Sequence, residues 1–367
     1  MRKTSGGLLD NSPLTSRIRA SVLVVAASVW LACTAPLLPS PDQHSPVSSP
    51  LQSGLSPSAT GPTATATEST EPTSSGPVGF VHSTLAVEAT FVALASDRGA
   101  WFGTVADHAG RIGFVTPEGK ANTVATLPVV ALAANGEALF AAEIANDVHG
   151  GIAQARIEKF DPVTLESLAT RSVDDPTGLV VSGDSLWVAT ATGMLDRLST
   201  GSLLVTDRIP LFGEGWATVA AGTDSIWVRN APPSGHGHII HRFDREDPQD
   251  IRVEPDGGSG SGELAASGGE VYAFLQADAP ASGALLRLNA NGTLGAADVS
   301  GAPGGITLLG SSVWWVSNDG VLGAVDANLV PSGTPIALGT DAACLTAGAG
   351  YLWVCTADGL VLVQPSF

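Results

Sequence analysis

The chain has 367 residues, with 17 Lys and Arg against 35 Asp and Glu, for a net charge of −18. Residues 1–33 hold four of the cations and one anion, so the remainder carries 13 against 34. That balance excludes nucleic acid as a partner, because neutralising phosphates requires cations, and it excludes a broad electrostatic dock on anionic lipid. Cationic small molecules, metal ions and basic protein patches are better matches; an acidic surface also serves simply to keep an exported protein soluble.

The N-terminus reads as a targeting segment. Arg17 and Arg19 precede an apolar run from Ala20 to Ala32, which suits a signal-peptide core and is short for a membrane span. The run ends in Val29-Trp-Leu-Ala-Cys33. An apolar stretch, a small residue and then Cys resembles the bacterial lipoprotein processing box. The resemblance implies diacylglyceryl modification at Cys33 and an extracytoplasmic protein anchored to the cell membrane. Trp30 and Leu31 depart from the commonest residues of that box. The alternatives are an uncleaved anchor, or ordinary cleavage with Cys33 incidental.

Residues 34–78 contain 9 Pro, 10 Ser and 7 Thr. Such a composition cannot bury a core and reads as a disordered tether, about 35–40 Å long as a flexible coil.

From residue 79 onward short aromatic-apolar strands recur. They are Gly99-Ala-Trp-Phe, Glu137-Ala-Leu-Phe, Ser185-Leu-Trp-Val, Ser225-Ile-Trp-Val, Glu270-Val-Tyr-Ala, Ser312-Val-Trp-Trp and Tyr351-Leu-Trp-Val. Aligned on Trp101, Leu139, Trp187, Trp227, Tyr272, Trp314 and Trp353, they step by 38, 48, 40, 45, 42 and 39 residues. A period near 40 with a strand per repeat predicts an all-β, seven-bladed β-propeller of four-stranded antiparallel blades over residues 79–367. In the third repeat the inner strand A is predicted at 177–182, B at 185–190, C at 194–198 and the outer strand D at 203–209. The bulky B residue is expected to wedge between blades, which assigns five of the eight tryptophans to the core and leaves Trp216 free for recognition. Asp161, Asp244, Asn289 and Asp326 each follow an apolar residue and read as formers of the C–D turns.

The last repeat runs out after strand C. Gly79–Val87 has no blade of its own and is predicted to close the ring as that blade's outer strand, removing the open gap. Cys344 and Cys355 flank a hairpin whose turn is Ala349-Gly350, a register that puts the two cysteines opposite one another. That arrangement suits a disulfide, or equally two small buried thiols.

In such a fold the B–C and D–A loops open on one face. The B–C loops carry His108, Asp147, His149, His236 and His238, with His241 entering a strand C. The D–A loops add Glu88, Asp174, Asp175, Glu214, Trp216, Glu263 and Asp341. The candidate ligand-binding set is His108, Asp147, His149, Asp175, Glu214, Trp216, His236, His238 and Asp341. Imidazole with carboxylate suits Zn, Ni, Cu or Mn, so a divalent metal is the cofactor this chemistry would hold. No Ser-His-Asp or Cys-His arrangement is visible, no zinc-motif spacing occurs, and no catalytic residue is assigned.

The pattern Pro-x-Gly-apolar-apolar…Gly-Asp-Ser-Leu-Trp-Val at Pro176–Val188, with its echo at Pro303–Val316, resembles the extracytoplasmic propellers grouped with virginiamycin B (streptogramin) lyase and the YVTN-type surface-layer repeats. The resemblance covers residues 79–367. It implies a seven-bladed propeller with ligands at the central mouth. The lyases use histidines in later blades with a Glu and magnesium. Here no histidine follows His241, so that catalytic set does not transfer. The leading expectation is a surface-tethered binding or scaffold module for an unidentified small molecule or protein. The alternative is a metal-dependent lyase or hydrolase in the same loops, which requires His108, His149 and His236 or His238 to converge with a carboxylate.

Overall fold

The computed structural model describes residues 79–366, except 86–89, 107–108, 147–150, 212–214, 231–238, 247–249, 254–261 and 277–281. The signal segment, Cys33 and the 34–78 tether lie outside the described residues. Residues Thr70–Phe367 form one unit. Its described part is a ring of seven antiparallel sheets of four strands each.

The third blade shows the plan. Strands Pro176–Ser182, Ser185–Thr190, Met194–Ser199 and Val205–Pro210 run from the axis outward and pair in that order. The predicted bounds hold to within one or two residues. One difference has a physical cause. Leu203, read as the start of strand D, sits in the C–D turn with φ 57° and is 1 % exposed. Leu165 and Leu329 take the same left-handed conformation in the equivalent turns and are also buried. Each leucine plugs the core between blades, and that burial offsets a backbone cost of about 1–3 kcal/mol.

The Asp and Asn residues of these turns behave as turn formers. Asp161 Oδ1 accepts from the Val163 and Thr164 amides at 2.9 and 2.7 Å. Asp326 Oδ1 accepts from Asn328 and Val330, Asn289 Oδ1 from Asn291, and Asp244 Oδ1 from Glu246. The two amide bonds hold the Asp161 carboxyl below its ordinary value.

Trp187, Trp227, Trp314 and Trp353 are fully buried, each packed against residues of the following blade. Trp101 and Tyr272 do the same. The second repeat requires a correction. In the fourth blade the turn closes from Gly222 to Ser225, and Trp227 faces Ala220. In the second blade it closes from Asn135 to Ala138, and the residue facing Ala133 is Phe140. Phe140, not Leu139, therefore takes the forward position against Leu179 and Leu186. Leu139 points back at Trp101 and Ile112. The motif Leu-Phe offers two bulky neighbours, and only the hairpin register decides which faces forward.

The ring closes as expected. Gly79–Leu85 pairs antiparallel with Gly359–Pro365, giving the last blade its outer strand. The hairpin register also holds. Ala349 and Gly350 have φ of 55° and 78°, the pair of positive values that a two-residue turn of this kind needs. Cys344 faces Cys355, and their sulfurs are bonded, with the α-carbons 4.9 Å apart.

Candidate functional site

Each inner strand is the edge of its sheet. Its unpaired backbone side therefore faces the axis. Seven such edges enclose a central channel of about 520 Å³. Facing inward also keeps these edges from pairing with other chains. All seven inner strands start on the face that carries the B–C and D–A loops, so the first residues of each strand mark one mouth.

Two side chains distinguish that mouth. Trp216 stands immediately before the fourth inner strand, Ala217–Ala221, and is 51 % exposed on the channel lining. Glu263 is the second residue of the fifth inner strand, Gly262–Ser267, and also lines the channel. The rest of the described lining is mainly glycine, alanine, threonine, leucine, isoleucine and valine, so Glu263 is its sole charged side chain among the described residues.

The rim around these two is laced together. Thr177 Oγ1 donates to the Ala217 carbonyl at 2.8 Å and accepts from the Ala217 amide at 3.2 Å, which fixes the backbone beside Trp216. Thr218 Oγ1 donates to the Gly262 carbonyl at 3.4 Å, and the Arg229 guanidinium donates to the same oxygen at 3.1 Å. Arg229 is itself fully buried. It lies behind Glu263 and draws on it electrostatically, but the Glu263 carboxylate makes no hydrogen bond with a described residue. Glu263 is partly open to the channel, yet protein walls surround it. That enclosure pushes its carboxyl up to about 7 against the pull of Arg229. Burial likewise pushes the Arg229 guanidinium down to about 10. Both remain charged just above neutral pH, with the carboxylate facing the cavity.

A second enclosed charge group lies between the first and second blades. Arg156 Nε bonds Glu143 at 2.8 Å and Arg156 Nη2 bonds Glu158 at 2.5 Å. Thr126 Oγ1 also donates to Glu143. Burial raises the Glu143 carboxyl, with Glu158 adding repulsion. All four groups are satisfied by one another, and the cluster reads as structural.

Of the residues proposed from sequence, His108, Asp147, His149, Glu214, His236 and His238 lie outside the described residues. Trp216 lines the channel. Asp175 and Asp341 lie in D–A loops on the same face but do not line it. Asp175 has φ 33°, its carboxyl is raised by burial, and its carbonyl accepts from the Ala191 amide at 2.9 Å. Asp341 is exposed. His241 does not belong to the loop face, being fully buried and stacked on Phe243. Among the described residues no three His, Cys, Asp or Glu side chains form a metal-holding group. Sequence reasoning placed Glu263 in a loop, whereas it is in an inner strand, and it gave no role to Arg229. An Arg directly after the apolar run Ile226-Trp227-Val228 of a B strand was the available signal.

The fold and channel define the class: a seven-bladed β-propeller, an architecture compatible with a binding or scaffold module. No protein-family model matches the chain, and no curated protein matches it in sequence. Solved structures match throughout the propeller. U3-55K aligns with TM-score 0.65 at 11 % identity, over 79 % of this chain and all of that one. The Kuenenia stuttgartiensis hydrazine synthase aligns with TM-score 0.64 at 13 % identity, over 78 % and 97 %. BamB from Moraxella catarrhalis aligns with TM-score 0.54 at 14 % identity, over 79 % and 100 %. At these identities the likeness is one of fold alone.

Proposed function

We propose that this chain is an extracytoplasmic lipoprotein, tethered through Cys33 and residues 34–78, whose propeller binds its ligand at the central mouth on the B–C and D–A face. The observation that carries the binding reading is the walled channel, with a carboxylate and a half-exposed tryptophan at one mouth. Concave preformed cavities of about 300–1,000 Å³ with few polar groups are the usual form of a small-molecule site. The lipoprotein part rests on Ala32-Cys33 after the apolar run and on the long Pro/Ser/Thr tether. The motif at Pro176–Val188 resembles the extracytoplasmic propellers of the streptogramin-lyase-like group, and the alignment with BamB supports the propeller fold.

A channel-blocking variant tests the binding reading. Ala343 is exposed in the channel wall, so Ala343→Trp fills the mouth without disturbing a packed core. Wild-type protein is expected to retain small molecules from an envelope extract, read by mass spectrometry after washing, and Ala343→Trp to lose them. Identical retention by both would refute the mouth as the site. For anchoring, Cys33→Ala should abolish incorporation of labelled fatty acid and release the protein from the membrane fraction.

A further inference from the structure

We infer that the channel is a receptor for a small organic monocation, an ammonium group carried on an apolar body, held between Glu263 and Trp216. The inference rests on the mouth-binding reading and specifies its ligand. Trp216 and Glu263 stand on adjacent blades at the same mouth, and the Thr177–Ala217 and Thr218–Gly262 hydrogen bonds hold the two rims together. One carboxylate balances one positive charge. A tryptophan face attracts a cation by its quadrupole, most strongly when the cation is desolvated. Deeper in the channel, the half-buried side chains of Leu94, Val130, Val180, Val219 and Leu308 offer aliphatic contact.

The same inventory disfavours an inorganic divalent ion. Magnesium and calcium take six or more oxygens. Among the described lining residues Glu263 is the one carboxylate, where an all-protein cage for such an ion draws on several oxygen ligands. Arg229 acts on Glu263 electrostatically while its guanidinium bonds the Gly262 carbonyl at 3.1 Å, so a cation in the channel shares the carboxylate's field with it.

The experiment uses three probes with the full-length protein in calorimetric titrations: choline, its neutral isostere 3,3-dimethylbutan-1-ol, and hexyltrimethylammonium. Both cations should bind saturably at one site, hexyltrimethylammonium more tightly. The neutral isostere and the Glu263→Gln variant should each lose about tenfold or more in affinity, the equivalent of about 1.4 kcal/mol. Trp216→Ala should weaken binding and Trp216→Phe restore part of it. Affinity of the wild type should rise from pH 6 to pH 8 as the carboxyl ionises, and that of Glu263→Gln should not. Equal binding of isostere and cation, unchanged binding by Glu263→Gln, absence of binding by either cation, or binding of magnesium in their place would overturn the inference. Ala343→Trp separates the two levels. If the neutral probe binds and is lost in Ala343→Trp, the mouth reading stands and the cation reading falls. If cation binding survives in Ala343→Trp, both fall.

Discussion

Replacing Glu263 by Gln should stabilise the protein in a pH-dependent way. Gln has the same shape and carries no charge, so the packing of the rim is preserved. In the folded chain the carboxyl ionises near 7, against an ordinary value of 4.5. Between those values the unfolded chain has released its proton while the folded chain still holds one. The native state therefore binds more protons, and wild-type stability falls as pH rises through the interval and levels off above 7. At about 1.4 kcal/mol per pH unit the fall is at most about 3 kcal/mol. Channel water solvates the open side of Glu263, so about 1–3 kcal/mol is the expected size. The attraction of Arg229 is already counted, since it acts against burial in setting the value near 7.

The assay is urea unfolding followed by tryptophan fluorescence at pH 5, 6, 7 and 8. Wild type and Glu263→Gln should unfold at similar urea concentrations at pH 5 and diverge as pH rises, with the variant more stable at pH 8. Parallel behaviour across the range would show that Glu263 is not an enclosed charge. A variant less stable at pH 8 would show that the carboxylate is held by favourable contacts, which would remove the argument for a free anion in the channel.

Three further outcomes follow from the packing. Phe140→Ala should cost about 3–5 kcal/mol and Leu139→Ala about 2–5; hydrogen exchange should show Phe140→Ala loosening strand Ser185–Thr190 and Leu139→Ala loosening strand Ala109–Val115, because the two residues face opposite neighbours. Losing the Cys344–Cys355 bond, by Cys355→Ala or by reductant, should lower stability by about 2–4 kcal/mol in urea unfolding, with no additional effect of reductant on the variant. Arg156→Met leaves Glu143 and Glu158 enclosed without their cation, at a cost of about 3–5 kcal/mol near pH 8. Since the Glu143 carboxyl is already raised, acid protonates it readily, and the cost should shrink at pH 5 when the same unfolding curves are measured.

The blades were readable in the sequence because each B strand repeats one bulky residue in a buried setting, and burial between blades tolerates little else. The turns were readable for a related reason. A carboxylate that accepts two backbone amides, as Asp161 does, must occupy a fixed place relative to the strand ends. The failures share a cause as well. Leu139 against Phe140 and Leu203 as strand or turn are decisions of register, made by hydrogen bonds one residue away, and composition is blind to a shift of one.

The site depends on that same one-residue alternation, which explains why loop chemistry was a poor guide to it. Asp175, Asp341 and Glu263 all stand near the starts of inner strands, and in sequence they are three acidic residues on one face. In the structure Asp175 is partly enclosed in its loop, Asp341 meets solvent, and Glu263 alone enters the channel. What selects Glu263 is the pairing of Gly262 with Leu275 and of Glu263 with Phe274. A shift of one residue would turn the carboxylate toward the far side of its strand. Gly262 permits that register, because a β-carbon there would meet the Phe274 carbonyl at 2.8 Å and the Leu275 side chain at 2.6 Å. The small residue before the acid is thus part of the site, and its cue lies in the order Gly-Glu and not in the acid itself.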